Sequence, residues 1–91
     1  MIIRAFILFE DCFEVNKKLP SYWLATEENV SNESDCQKRC QLNADCTTFV
    51  YTTDSERCTL KKFPVTLNVT EDVVLQDEVG KTFGPKYCPG K

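Results

Sequence analysis

Residues 29–61, NVSNESDCQKRCQLNADCTTFVYTTDSERCTLK, decide the fold, because the period of the pattern changes inside them. The first part reads as one short helix with its own start and stop signals. Asn32 is the candidate N-cap, with Asp35 three residues on as its capping-box partner, and Glu33 and Asp35 suit the positive end of the helix. Lys38 and Arg39 lie toward the other end, and Asn43 can take the left-handed conformation that ends it. About three turns of so polar a helix are marginal in water, so something must hold it down. Cys36 and Cys40, four apart, share the face that has to look at the core.

After Cys46 the chain alternates. Residues 47–52 (TTFVYT) are β-branched and aromatic, with Phe49 and Tyr51 on one face. Thr53, Asp54, Ser55 and Glu56 form a polar connection, and residues 57–61 (RCTLK) resume the alternation with Cys58 and Leu60 together. A helix whose cysteine face meets the inner face of this hairpin is the predicted centre of the fold.

Outward from the centre the signals weaken. Cys12 to Val15 is a candidate strand, Pro20 breaks the chain beyond it, and Tyr22, Trp23 and Leu24 are apolar enough to pack. Pro64 interrupts the run after Lys62, residues 65–69 and 73–75 are candidate strands about an acidic turn at Glu71 and Asp72, and Gly80 and Gly84 suggest turning before Cys88. Residues 1–9 (MIIRAFILF) are too short to cross a bilayer and lack the basic start and small-residue cleavage site of a signal peptide. Residues 1–9 could form a first strand, with Ile3, Ala5, Ile7 and Phe9 on one face, but residues 1–11 are expected to be linker or vector-derived, residues 12–88 a single domain and residues 89–91 a tail.

The chain has 91 residues, 11 basic and 14 acidic, for a net charge of −3. That length supports one thin core, with about 5,400 Å² exposed when folded. It excludes a multidomain enzyme, and the charge offers no nucleic-acid surface. Six cysteines (Cys12, Cys36, Cys40, Cys46, Cys58 and Cys88) in so short a chain read as a disulfide framework, hence an oxidising compartment. Fifteen pairings are open. Cys40 with Cys46 would close a small loop after the helix, Cys36 with Cys58 would join helix to strand, and Cys12 with Cys88 would tie the ends together. There is no histidine, which removes the commonest zinc ligand and histidine-dependent triads.

No spacing assembles a catalytic site. Asp54 and Glu56 belong to a polar turn, Cys36-x₃-Cys40 is not a redox C-x-x-C pair, and the nucleotide-binding glycine motifs are missing. No metal, cofactor or direct membrane insertion is expected. Binding is what remains. Trp23 beside Tyr22 could stack on a sugar or anchor a protein, although filling the core is the stronger expectation in a domain this small. Arg57, Lys61 and Lys62 form a basic cluster suited to a sulfate, a sialic-acid carboxylate or an acidic protein patch, against the simpler reading of a solvated charged edge. Lys61 is expected to point away from the core because Leu60 points in. Lys81 and Lys86 are candidates to extend the cluster. Asn29, Asn32 and Asn68 head Asn-x-Ser/Thr sequons and are candidate glycosylation acceptors.

Four segments together carry a resemblance: CFE at residues 12–14, the run from Asn29 to Tyr51, CTLK at residues 58–61 and GPKYC at residues 84–88. In this combination the chain resembles the PAN/apple domain. The resemblance implies an α+β fold, a curved five-stranded antiparallel sheet cradling one central helix, and the pairings Cys36–Cys58, Cys40–Cys46 and Cys12–Cys88. Modules of this family occur in plasma serine-protease precursors of the prekallikrein and coagulation type, in growth factors, and in adhesins stored in apicomplexan micronemes. Their shared role is noncatalytic binding of proteins or carbohydrates. The implied function is thus an extracellular adhesive module for a host-cell glycan or protein receptor, one of several repeats in a secreted adhesin. The alternatives are a docking module of a secreted protease precursor or adhesive complex, and an inert spacer.

Overall fold

The computed structural model describes residues 12–63 and 75–88. The helix α1 runs from Glu33 to Leu42, and its only buried residues are Cys36 and Cys40. A ten-residue helix with no other apolar anchor does not persist alone. It is held by two cross-links: Cys36 to Cys58, with Cα atoms 5.4 Å apart, and Cys40 to Cys46, at 5.2 Å. Asn32 is the N-cap, its side-chain oxygen accepting the Asp35 N–H at 2.9 Å. No return bond from the Asp35 carboxylate is formed among the described residues, so half of the expected capping box is present. The C-terminus corrects a second expectation. Asn43 is extended (φ −104°, ψ 115°) rather than left-handed. Its N–H donates to the Cys40 carbonyl and its side-chain oxygen accepts the Asp45 N–H at 2.9 Å, so an Asx turn ends the helix.

Five antiparallel strands form the sheet: β1 (Glu14–Lys18), β2 (Trp23–Glu27), β3 (Thr48–Thr52), β4 (Arg57–Lys61) and β5 (Gln76–Pro85), in the order β1-β5-β3-β4-β2. The predicted hairpin is β3–β4, in unbroken register from Thr48↔Lys61 to Thr52↔Arg57. Phe49 stands opposite Leu60 and Tyr51 opposite Cys58. These four side chains, with Val30, Cys36, Cys40 and Cys46, form the main core beneath the helix. Gln37 and Gln41 donate to the Pro85 and Lys86 carbonyls, lacing the helix to the end of β5. Cys12–Cys88 joins the entry of β1 to the exit of β5, with Cα atoms 5.6 Å apart.

Gly80 and Gly84 do not turn the chain. Both lie inside β5. Gly84 faces Phe49 so closely that a Cβ there would stand 2.5 Å from the ring. Gly80 has φ +90° and occurs where β5 bulges away from β1, its N–H donating to the Asn16 side chain.

β1 and β2 are consecutive in sequence yet sit on opposite edges of the sheet. Four strand spacings of about 4.8 Å separate them, roughly 19 Å across a flat sheet. The chain from Lys18 to Trp23 has five residue steps, or about 17–18 Å when extended. A flat sheet would outreach this segment, so the sheet must curl toward it, and residues 19–22 form a short strap over the sheet face opposite the helix. Leu19 is buried there with Val50 and Phe63, and Tyr22, Leu75 and Phe83 pack alongside. This second apolar cluster covers a face that alternation alone assigns to solvent. The candidate strand at 65–69, residues 73–74 of the candidate strand at 73–75, residues 1–11 and 89–91, and Asn68 lie outside the described residues; Leu75 itself precedes β5 and is not part of a strand.

Candidate functional site

Beside the strap, among the described residues, a concave space of about 180 Å³ opens on the outer sheet face. Leu19, Pro20 and Val50 supply its apolar wall, Thr52 and Thr59 bring hydroxyl groups, and Lys18, Lys61 and Lys81 bring three ammonium groups from β1, β4 and β5. Alternation explains the set. Cys58 and Leu60 face the helix, so Thr59 and Lys61 face the other way; Phe49 and Tyr51 do the same for Val50 and Thr52.

Lys61 is the unusual member. It is on the predicted face, but only 5% of it is exposed, which corrects the expectation of a solvent-directed side chain. Leu19 and Pro20 of the strap line the same space as Lys61. Burial first, then the positive charges of Lys81 and Lys18, hold its pKa below the ordinary lysine value. Lys81 donates to the Thr52 hydroxyl at 2.9 Å. Lys18 pairs with Glu78 at 2.6 Å. The hydrogen bond from Lys18, then the charges of Lys18 and Lys81, outweigh burial and keep the Glu78 carboxyl below its usual range. Among the described residues, no carboxylate pairs with Lys61.

The three basic residues singled out in the sequence are not brought together. Arg57 turns to Glu28, with Nε 3.2 Å from the carboxylate. Lys62 lies beyond the strand, 3.5 Å from Asp45. Only Lys61 enters the pocket, and it is joined there by Lys81 and by Lys18, which sequence reasoning missed. Strand parity could have placed Lys61 and the two threonines on one face. Neither the β3–β5 pairing nor the path of the strap is written in any local pattern. Lys86 goes elsewhere, donating to the Asn43 carbonyl at 2.9 Å.

The two aromatic candidates divide as well. Tyr22 packs edge-on against Phe63, ring centres 5.5 Å apart, and its φ of 67° puts a bulky residue in the left-handed region. Trp23 is 66% exposed on the edge strand β2, its indole N–H donating to Thr26, so the expectation that it fills the core is corrected. Asn29 is exposed with φ 60°, whereas Asn32 is committed through its oxygen to the helix cap. Among the described residues no group of three metal-ligating side chains gathers, and no helix is long and apolar enough to cross a membrane.

A family model for the PAN domain matches residues 12–88, most of the chain. The chain belongs to the PAN domain family. The five-stranded antiparallel sheet, the central helix and the three disulfides agree with the architecture that the resemblance implied. The domain is a noncatalytic module of a family that binds proteins and carbohydrates and is typically extracellular. Comparison with curated proteins finds no match.

Proposed function

We propose that this PAN domain is an adhesive module of a secreted protein, one of several such repeats, and that its outer sheet face receives an acidic group of a host-cell glycan or protein receptor. The observation that carries the reading is the convergence of Lys18, Lys61 and Lys81 on one partly enclosed space, with Lys61 buried and no carboxylate beside it among the described residues. Holding three ammonium groups about one space costs free energy through mutual repulsion and, at Lys61, through lost hydration. An incoming anion offsets both. The three disulfides support an oxidising, extracellular setting, and release from a secretory store of the microneme type is the context in which this proposal places it. Repeats would add avidity to weak single contacts.

The test is binding of the oxidised domain, coupled multivalently to beads, to arrayed acidic and neutral glycans. Retention on acidic glycans that falls at least fivefold in Lys81→Gln supports the reading. Retention indifferent to that change contradicts it. Protein docking through Trp23 is the second reading, favoured by exposure of that ring on an edge strand. It predicts that Trp23→Ala, and not Lys81→Gln, abolishes capture of a receptor.

A further inference from the structure

We infer that the pocket accepts one terminal acidic sugar residue, end-on, rather than a length of sulfated polymer or an acidic peptide. This rests on the outer face being the ligand site, as proposed above. Size is the first argument. At about 180 Å³ the space is smaller than the roughly 300–1,000 Å³ pockets that hold drug-sized ligands, and it suits a single ring. Its chemistry is the second. Leu19, Pro20 and Val50 present an apolar wall to the C–H face of a pyranose, the hydroxyls of Thr52 and Thr59 lie among its hydroxyl groups, and the lysines take the acid.

Charge distribution is the third argument, and it separates a point anion from a polyanion. Of the three ammonium groups lining the pocket, Lys18 alone is paired with a carboxylate among the described residues, that of Glu78, which leaves a surplus of two positive charges there. No basic track leads away from it among the described residues. Lys17 is paired with Asp77, Arg39 with Glu27, Arg57 with Glu28 and Lys62 with Asp45. The chain as a whole carries −3. A sulfated polymer gains affinity from successive cations along its length, and this surface supplies them at one place only. An extended peptide gains affinity by pairing with an unpaired strand edge. The pocket floor is built from β3, β4 and β5, each already paired on both sides.

Saturation-transfer NMR on the intact oxidised chain tests this with five probes: methyl N-acetylneuraminide, methyl glucuronide, neutral methyl galactoside, a heparin hexasaccharide and a glutamate-rich peptide. The expected result is transfer to the two acidic monosaccharides, at least fivefold weaker in both Lys81→Gln and Lys18→Gln and at least fivefold weaker for the neutral galactoside. The hexasaccharide should bind no more than about threefold tighter than the glucuronide. A hexasaccharide or peptide that binds tenfold or more tighter than either acidic monosaccharide, and is released by Lys81→Gln, would overturn the single-sugar inference while leaving the outer-face site standing. Equal transfer to the neutral galactoside overturns it too. If the two variants retain their melting transitions and no acidic probe responds to them, the inference and the outer-face reading both fall.

Discussion

Phe49 and Gly84 are register partners on β3 and β5, and the phenyl ring occupies the space a side chain at residue 84 would need. A Cβ would stand 2.5 Å from Cζ and 2.7 Å from Cε2 of Phe49, and 2.9 Å from Phe13. Phe49 is wholly buried and meets the half-buried Phe13 edge-on, so the Phe49 ring has no open side to withdraw into. Gly84→Ala should therefore destabilise the domain by about 1–3 kcal/mol, the usual cost of overpacking. Urea unfolding measures it, and adding Phe49→Leu should recover part of the loss. An unchanged midpoint for Gly84→Ala would mean that the helix-side core is looser than these contacts require.

The disulfides rank differently by entropy and by packing. The loop-entropy relation gives about 4.5 kcal/mol for the terminal bridge, 3.4 for Cys36–Cys58 and 2.2 for Cys40–Cys46. Cys36 and Cys58 are also wholly buried at the centre of the core, so replacing both by alanine opens a cavity at the helix–sheet contact. Cys36→Ala/Cys58→Ala should thus cost more than Cys12→Ala/Cys88→Ala and should abolish the helical far-ultraviolet signal. Loss of the terminal bridge should lower the melting temperature and leave that signal in place. The reverse order would show that chain closure, not helix anchoring, dominates.

Stability should respond to alkaline pH in two opposed steps. Below its lowered pKa, Lys61 is charged in both folded and unfolded chains, and the folded state bears the whole penalty. Between that value and the ordinary lysine pKa of about 10.4, the unfolded chain holds more protons, so stability rises with pH. Tyr51 acts in the other direction. Burial first, then Glu56, Glu33 and Asp35, raise its pKa, so the stability it lends is present below about 10 and lost as pH climbs through the raised value. Lys61→Met should flatten the rise measured by thermal melts above neutral pH, and Tyr51→Phe the fall beyond it. Curves parallel to the wild type would contradict both assignments.

Tyr51 carries a second cost. Its hydroxyl donates to the Val30 carbonyl at 2.5 Å, which ties the loop before the helix to β3. Tyr51→Phe leaves a buried carbonyl without that donor and should lose about 1–3 kcal/mol at neutral pH. Chemical denaturation checks it, and a loss too small to resolve would mean that water replaces the phenol.

The centre of this fold is legible because its signals are local. Asn32 announces the helix, the four-residue spacing of Cys36 and Cys40 marks its buried face, and alternation from Phe49 to Leu60 sets the hairpin's inner face. What is not legible depends on residues far apart in sequence. Lys61 reads as a solvent-facing residue until the strap from Leu19 to Tyr22 is laid beside it, and the strap arises only because β1 and β2 take opposite edges. Trp23 reads as core for its size, yet its edge position leaves it exposed. Arg57 and Lys62 read with Lys61 as one cluster, and Glu28 and Asp45 disperse them by pairing.

Mapping inorganic sulfate onto the oxidised domain by heteronuclear NMR asks most directly where the anion goes. Chloride at matched ionic strength is the control, since sulfate also strengthens burial in general. Shifts gathered at Val50, Thr52, Thr59 and Lys81 and reduced in Lys81→Gln are the predicted result. Shifts centred on Arg57 and Lys62, or none beyond the chloride control, would contradict an anion site on the outer face.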